Sequence, residues 1–174
     1  MNAEQAKFLI QYFANMMAEE SKATVKVIAN VPDDKRSYRP DEKSRNAWEL
    51  ATHLALGDIW FLDSIMSGSF NFDPELEKQT AARFTSSKDL ADWYSKEYAD
   101  RLQKLRNVSG DQLTRIVDFF GLFQWPAAAY IGFANNHSTH HRGQLAAYLR
   151  AMGSKVPAIY GGSADEPFQA AAQT

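Results

Sequence analysis

Four stretches of this chain repeat apolar residues at intervals of three and four, and a sequence patterned in that way hides its apolar surface by packing helices against one another. The first runs from about residue 3 to 30. Leu9, Tyr12, Phe13, Met16, Ala23, Val27 and Ile28 share its stripe, and Asn30-Val31-Pro32 ends it, because proline disfavours helix in the residue before it. Glu20 interrupts this stripe and is expected at its edge, with the carboxylate led out to solvent. Residues 31–45, rich in charge and holding Pro32 and Pro40, read as a connection. A second helix starts behind Asn46, where Glu49 three residues on can close a capping box. Ala47, Leu50, Ala51, Leu54, Phe61, Leu62 and Ile65 trace one side of it, with Asp58 the only charged member. His53 lies about a third of a turn away on a strip with Gly57 and Trp60, and Gly57 there permits a neighbouring helix to approach. A histidine on such a flank, taken alone, is more often a half-buried, hydrogen-bonded ring than a ligand.

From Met66 the helical pattern is lost until about Ser86. A connection that long inside a bundle points to a crossover that leaves the second and third helices parallel. The third helix, from a Ser86 or Ser87 cap to about Arg106, carries Leu90, Trp93, Tyr94, Tyr98, Leu102 and Leu105, which read as core. Residues 116–125 are apolar and aromatic without a clear period. They fit a short extended segment, a helical turn or a lid, and must be covered by the bundle, a substrate or a second subunit. Pro126 suits the first turn of a last helix over roughly 126–152.

That last helix holds the informative stretch, Asn135 to Leu145, with three of the four histidines. His137 and His141 stand one turn apart on one face. Tyr130, Phe133, His137, His141, Gln144 and Tyr148 fall in one narrow strip toward the core. Arg142 falls on the far side, where a surface or interface ion pair is expected of it, and Gly143 is expected to permit a close helix contact. Two readings of the pair stay open on spacing alone. The rings are either buried and separately hydrogen-bonded, each costing about 1–3 kcal/mol if left unpaired, or they share a metal ion. The residue after His137 is Ser138, not the glutamate of the zinc-protease helix, which excludes that signature.

Several classes drop out on composition. The formal net charge is −2 with no long basic run, so no nucleic-acid partner is expected. There is no cysteine, which rules out disulfides, thiolate zinc sites and a thiol nucleophile from the chain itself. No apolar run reaches membrane-spanning length and the N-terminus lacks a basic, then apolar, leader; no membrane partner is expected and a cytoplasmic location is the default. The 174 residues fit one domain, with Gly153 closing the last helix, Val156, Ile159 and Tyr160 folding back, and residues 163–174 a loose tail.

The run His137-Ser138-Thr139-His140-His141-Arg142-Gly143-Gln144-Leu145, then Ala147 to Gly153 and Val156-Pro157-Ala158-Ile159-Tyr160-Gly161, resembles the C-terminal signature of the DinB-like (DinB/YfiT) family of metalloenzymes. Tyr38-Arg39-Pro40 and Glu49 to Leu54 extend the resemblance over nearly the whole chain. It implies an all-α four-helix bundle with a long crossover between the second and third helices, binding one divalent metal, nickel or zinc, through His53, His137 and His141. His140 matches the adjacent histidine that does not coordinate. Three histidines with open positions suit a catalytic rather than a structural site. Members that this sequence is similar to include transferases and isomerases that use a low-molecular-weight thiol as cosubstrate, and hydrolase-type relatives. A small-molecule substrate and a homodimer are expected on the same ground. Gln144 and Tyr148, beyond His141 on its strip, and Glu49, one turn before His53, are candidates for supporting or lining the site. The reading set against an enzyme is a non-catalytic bundle that binds a metal or ligand and acts through dimerisation.

Overall fold

The computed structural model describes residues 1–168. In chain order it forms α1 (Ala3–Ala29), α2 (Ala47–Ser67), α3 (Pro74–Ala81), α4 (Ser87–Arg106), α5 (Gly110–Leu113), the strands β1 (Ile116–Phe119) and β2 (Phe123–Pro126), and α6 (Tyr130–Ala151). The class is all-α: the four long helices form the bundle and the two strands are a single hairpin. Sequence chemistry starts α1, α2 and α4 close to where the pattern places them. Asn2 and Asn46 both close capping boxes, with Gln5 and Glu49, and Ser86 caps α4 through the Asp89 amide.

Helix α1 packs on α4 and α6, and α2 packs on the same two, so α1 and α2 face each other across the diagonal. Residue pairs fix the senses. Asp58 meets Tyr94 and Asp63 meets Arg101, so α2 and α4 are parallel. His53 meets His137 while Phe61 meets Phe133, so α2 and α6 are antiparallel. Lys7 bonds the Arg106 carbonyl while Thr24 reaches Tyr94, so α1 and α4 are antiparallel. The order is up, down, down, up, and the long connection from α2 to α4 is the crossover that a parallel pair needs.

That connection is not unstructured. Asp73 caps α3 through the Glu75 and Leu76 amides, and Pro74 sits in its first turn, a start signal that lay outside the apolar pattern because the helix is too polar to bury a stripe. Residues 116–126 form an antiparallel hairpin in register Val117 with Trp125 and Phe119 with Phe123. Phe120 and Gly121 turn it, both with left-handed φ of 53° and 73°. The Tyr130 hydroxyl ties it down by donating to the Val117 carbonyl at 2.9 Å. Pro126 therefore ends β2, and α6 begins only at Tyr130 after a short 3-10 turn over Ala127–Ala129.

Four further expectations need correction. Arg142 is not on the surface: it is 1% exposed, donates to the Glu20 carbonyl at 3.0 Å and to Thr24 Oγ1 at 3.1 Å, and forms an ion pair with the Glu20 carboxylate. Glu20 is accordingly turned inward, and the Tyr160 hydroxyl donates to it at 2.7 Å. A long cation projected to the far side of one helix has become the link between α6, α1 and the returning tail. Gly143 makes no close helix contact, since a Cβ there would meet nothing within 4 Å. Residues 163–168 are held: Asp165 accepts from the Val156 amide and pairs with Arg150, and Glu166 accepts from the Ala158 amide. The rest of the expected loose tail, 169–174, lies outside the described residues.

Replacing Arg142 by alanine leaves the Glu20 carboxylate without its cation. Breaking a buried pair in this way costs about 3–5 kcal/mol; Glu20 keeps 27% side-chain exposure, so a loss near about 3 kcal/mol is expected, with a smaller loss for Arg142→Met, which refills the space. Urea unfolding checks this, and a loss below about 1 kcal/mol for Arg142→Ala, the size of an exposed pair, would contradict the buried role.

Candidate metal centre

Helix α2 presents His53, and α6 presents His137 and His141 one turn apart from across the antiparallel contact. Their rings lie edge to face with centroids 5.1 Å (His53 to His137), 4.7 Å (His53 to His141) and 4.5 Å (His137 to His141) apart. One nitrogen from each falls within 4.8 Å of the others, and among the described residues this is the group of three His, Asp or Glu side chains that could hold a metal ion. Gly57, one turn past His53, makes room: a Cβ there would stand 2.8 Å from His137 Cε1.

Each ring faces an oxygen with its Nδ1. His53 Nδ1 is 3.4 Å from Glu77 Oε1, His141 Nδ1 is 2.8 Å from Gln144 Oε1, and His137 Nδ1 is 3.6 Å from Asp58 Oδ1. With Nδ1 protonated in each ring, the Nε2 lone pairs turn inward, and those of His53 and His137 oppose each other at 3.3 Å. Two opposed lone pairs repel, whereas a cation between them reverses the sign. The separation also suits it, since bonds of about 2.0–2.1 Å to one ion place two imidazole nitrogens about 2.9–3.4 Å apart at right or tetrahedral angles. The residues fit a divalent metal. Burial pushes His53 down to about 3, helped by the Arg45 charge and the neighbouring rings, and burial pushes His141 down to about 4. Both are thus neutral, and available as ligands, at neutral pH.

Asp58 is 2% exposed and accepts from Tyr94 Oη at 2.9 Å and Ser138 Oγ at 2.8 Å, both on Oδ2. Its Oδ1 and His137 Nδ1 are the buried polar side-chain atoms with no hydrogen-bond partner among the described residues. They face each other, and a shift of a few tenths of an ångström would join them in the carboxylate–imidazole arrangement that orients metal ligands. Asp58 had a visible signal, a lone charge in an apolar stripe. Glu77 had none in the apolar periodicity, because its helix α3 is too polar to show one. Burial raises the Glu77 carboxyl above its ordinary range.

The other candidates are spread around this centre. Gln144 fixes the His141 ring. Glu49 is exposed and spent on the α2 cap, where it accepts from the Asn46 amide at 2.8 Å. Tyr148 packs its ring on Tyr38 and donates to the Arg45 carbonyl at 3.2 Å. His140 is exposed and stands beside His141. A cavity of about 680 Å³ opens from His53 and His137. No helix among the described residues is long and apolar enough to cross a membrane.

The family model described as "DinB family" matches residues 1–170. Two proteins of Bacillus subtilis (strain 168) are similar: YjoA, 30% identical over 132 residues, 75% of this chain and 82% of that protein, and YrdA, 28% identical over 159 residues, 90% and 91%. Both carry the description "uncharacterized protein". The crystal structure of YjoA, a DinB-like protein, aligns with a TM-score of 0.66 at 25% identity, covering 83% of this chain and 93% of that one. A DinB-like protein from Bacillus cereus ATCC 10987 aligns at 0.67 and 26%, covering 85% and 95%.

If Asp58 and Gly57 serve the histidines, Asp58→Asn and Gly57→Ala should each lower zinc affinity by about 10–100-fold while the helical circular dichroism holds. Calorimetric zinc titration reads this. Unchanged affinity in both variants would remove these residues from the centre.

Proposed function

The chain belongs to the DinB family, and from that footing we propose that it binds one divalent metal, nickel or zinc, through His53, His137 and His141 and acts as a metal-dependent enzyme on a small organic molecule. The observation that carries this reading is the convergence of one ring nitrogen from each of the three histidines, with the Nδ1 of each ring facing an oxygen of Asp58, Glu77 or Gln144, beside a cavity that His53 and His137 line. A structural site is closed by four protein ligands; here three side chains of ligand type converge among the described residues. A bound divalent ion supplies Lewis acidity, favouring ionisation of a thiol or water beside it or polarising a substrate oxygen.

The reaction we infer is S-transfer from a low-molecular-weight thiol to an electrophile. The chain has no cysteine, so the sulfur comes from a cosubstrate. Glu77, raised by burial and in reach of His53, is placed to accept or return a proton at its carboxylate. Metal analysis of untagged protein should find one ion per chain, lost in His137→Ala. Chlorodinitrobenzene with a panel of bacillithiol, mycothiol and glutathione should give conjugation that falls at least about 100-fold in His53→Ala. Absence of native metal together with no uptake on titration would sink the reading, and thiol-independent ester cleavage would turn it to hydrolysis.

We include a homodimer in the same proposal. The hairpin leaves Ile116, Phe120, Leu122 and Trp125 exposed, Ile116 and Leu122 by 64% and 70%, an amount of apolar surface of the kind that marks contacts. Light scattering should give twice the chain mass, and Leu122→Glu with Trp125→Glu should give a monomer; a monomeric wild type removes this part.

A further inference from the structure

The cavity beside the histidines is large enough to enclose a drug-sized molecule. Its walls are aromatic, with Trp60, Phe72, Trp93 and Phe119 among them, Phe119 coming from the hairpin. Phe119 is packed into this cluster by Phe61 and Phe70, while Phe120 stacks on Trp60 at 6.3 Å. The charges in the wall are Asp63, Asp73 and Glu77 against one cation, Arg101. Arg101 is not free to meet an anion, because Asp63 at 3.3 Å, Asp100 at 3.2 Å and Glu97 already hold its guanidinium. The Arg45 charge acts on His53, His141 and Glu77, but Arg45 is exposed and is not part of the cavity wall.

Asp63 is in turn taken up by Arg101, so the carboxylates left to a ligand are Asp73 and Glu77; with no free cation in the wall the field inside the cavity is negative and the lining is polarisable, while the Arg45 charge lies outside it. A carboxylate entering the cavity would shed its hydration with no free cation to replace it. An ammonium group finds carboxylates and aromatic faces, which attract cations through their negative π clouds. We propose that the cavity is the pocket for the acceptor substrate and that it selects aromatic amines, with the anionic groups of the cosubstrate kept outside near Arg45. The assignment as acceptor pocket rests on the enzyme reading above; the selectivity itself does not require the metal.

Three ligands of one shape separate the charge from the ring: 1-naphthylmethylamine, 1-naphthylmethanol and 1-naphthoate, titrated by calorimetry into the full chain after chelation and again after zinc loading. The amine should bind about tenfold tighter than the alcohol, and the carboxylate more weakly than both, in chelated protein. Asp73→Asn keeps a residue able to cap α3 and removes one negative charge; it should cut the amine-to-alcohol ratio about threefold and leave the alcohol unchanged. Leu56→Trp fills the cavity and should weaken the amine and the alcohol about tenfold or more, and Thr80→Trp, entering from α3, serves if the first variant does not fold. Carboxylate binding as tight as the amine in chelated protein overturns the proposal, as does amine binding indifferent to the filling substitution. Zinc titration of the same samples keeps the two ideas apart: amine binding without metal uptake sinks the enzyme reading alone, and metal uptake without amine binding sinks this one alone.

Discussion

Everything in this bundle is arranged around the burial of one carboxylate. Asp58 stands in the middle of α2 at 2% exposure, and an ionised carboxylate in such a place is tolerated only if its oxygens are met by donors. Tyr94 from α4 and Ser138 from α6 meet one oxygen. The other faces His137. Three helices are thus held in register at one level, because sliding any of them by a turn would leave Asp58 with unmatched charge. The apolar stripes alone would tolerate such a slip, since leucine and alanine repeat along them.

A second polar cluster sets the diagonal helix. Arg142, four residues past Ser138, reaches Glu20 and Thr24 on α1. Arg142 lies one turn past Ser138, which bonds Asp58, so α1 is keyed through α6 to a level one turn from that of the buried carboxylate. The guanidinium also lies 5.2 Å from the Tyr160 ring and draws the tail back over the bundle. In a core of otherwise apolar side chains, these two clusters are what distinguish one packing from its neighbours. That is the use of buried polar groups best supported by physical argument, since a buried ion pair adds little net stability over apolar residues of like volume.

Much of this was legible from spacing, and the rest was not for identifiable reasons. The periodicity of α1, α2 and α4, the Asn46 cap and the crossover all follow from local rules, and the structure carries them. Helix α3 escaped because none of its residues, Pro74 to Ala81, is fully buried and its sequence shows no apolar period; only the Asp73-Pro74 start marks it. The hairpin escaped because Phe120 takes the left-handed turn position that glycine or asparagine usually advertises. Arg142 was misplaced because a helical projection assigns direction to the Cβ, whereas a long side chain on the flank can bend into the core when a partner such as Glu20 waits there. His53 shows the opposite case: its own position argued weakly for a ligand, and it was the resemblance that set it beside His137 and His141, where the fold brings all three together.

The neighbourhood of His137 shows why the centre sits at this level of the bundle and not a turn away. Its ring needs an oxygen behind it, which Asp58 offers, and space in front of it, which the bare backbone of Gly57 offers; both lie on α2, one residue apart and one turn beyond His53. Gly57 is a poor choice for helix stability, costing about 1 kcal/mol relative to alanine in a helix interior, and a buried aspartate is a poor choice for an apolar core. Two adjacent residues that each weaken α2 stand where together they back one imidazole, His137, and make room for it. Local sequence preferences are broken at this point of the helix, and the break coincides with the convergence of three ring nitrogens. Departures of this kind collect where a fold has been shaped for chemistry, which is independent support for reading the three histidines as a working site and not as three separately satisfied core rings.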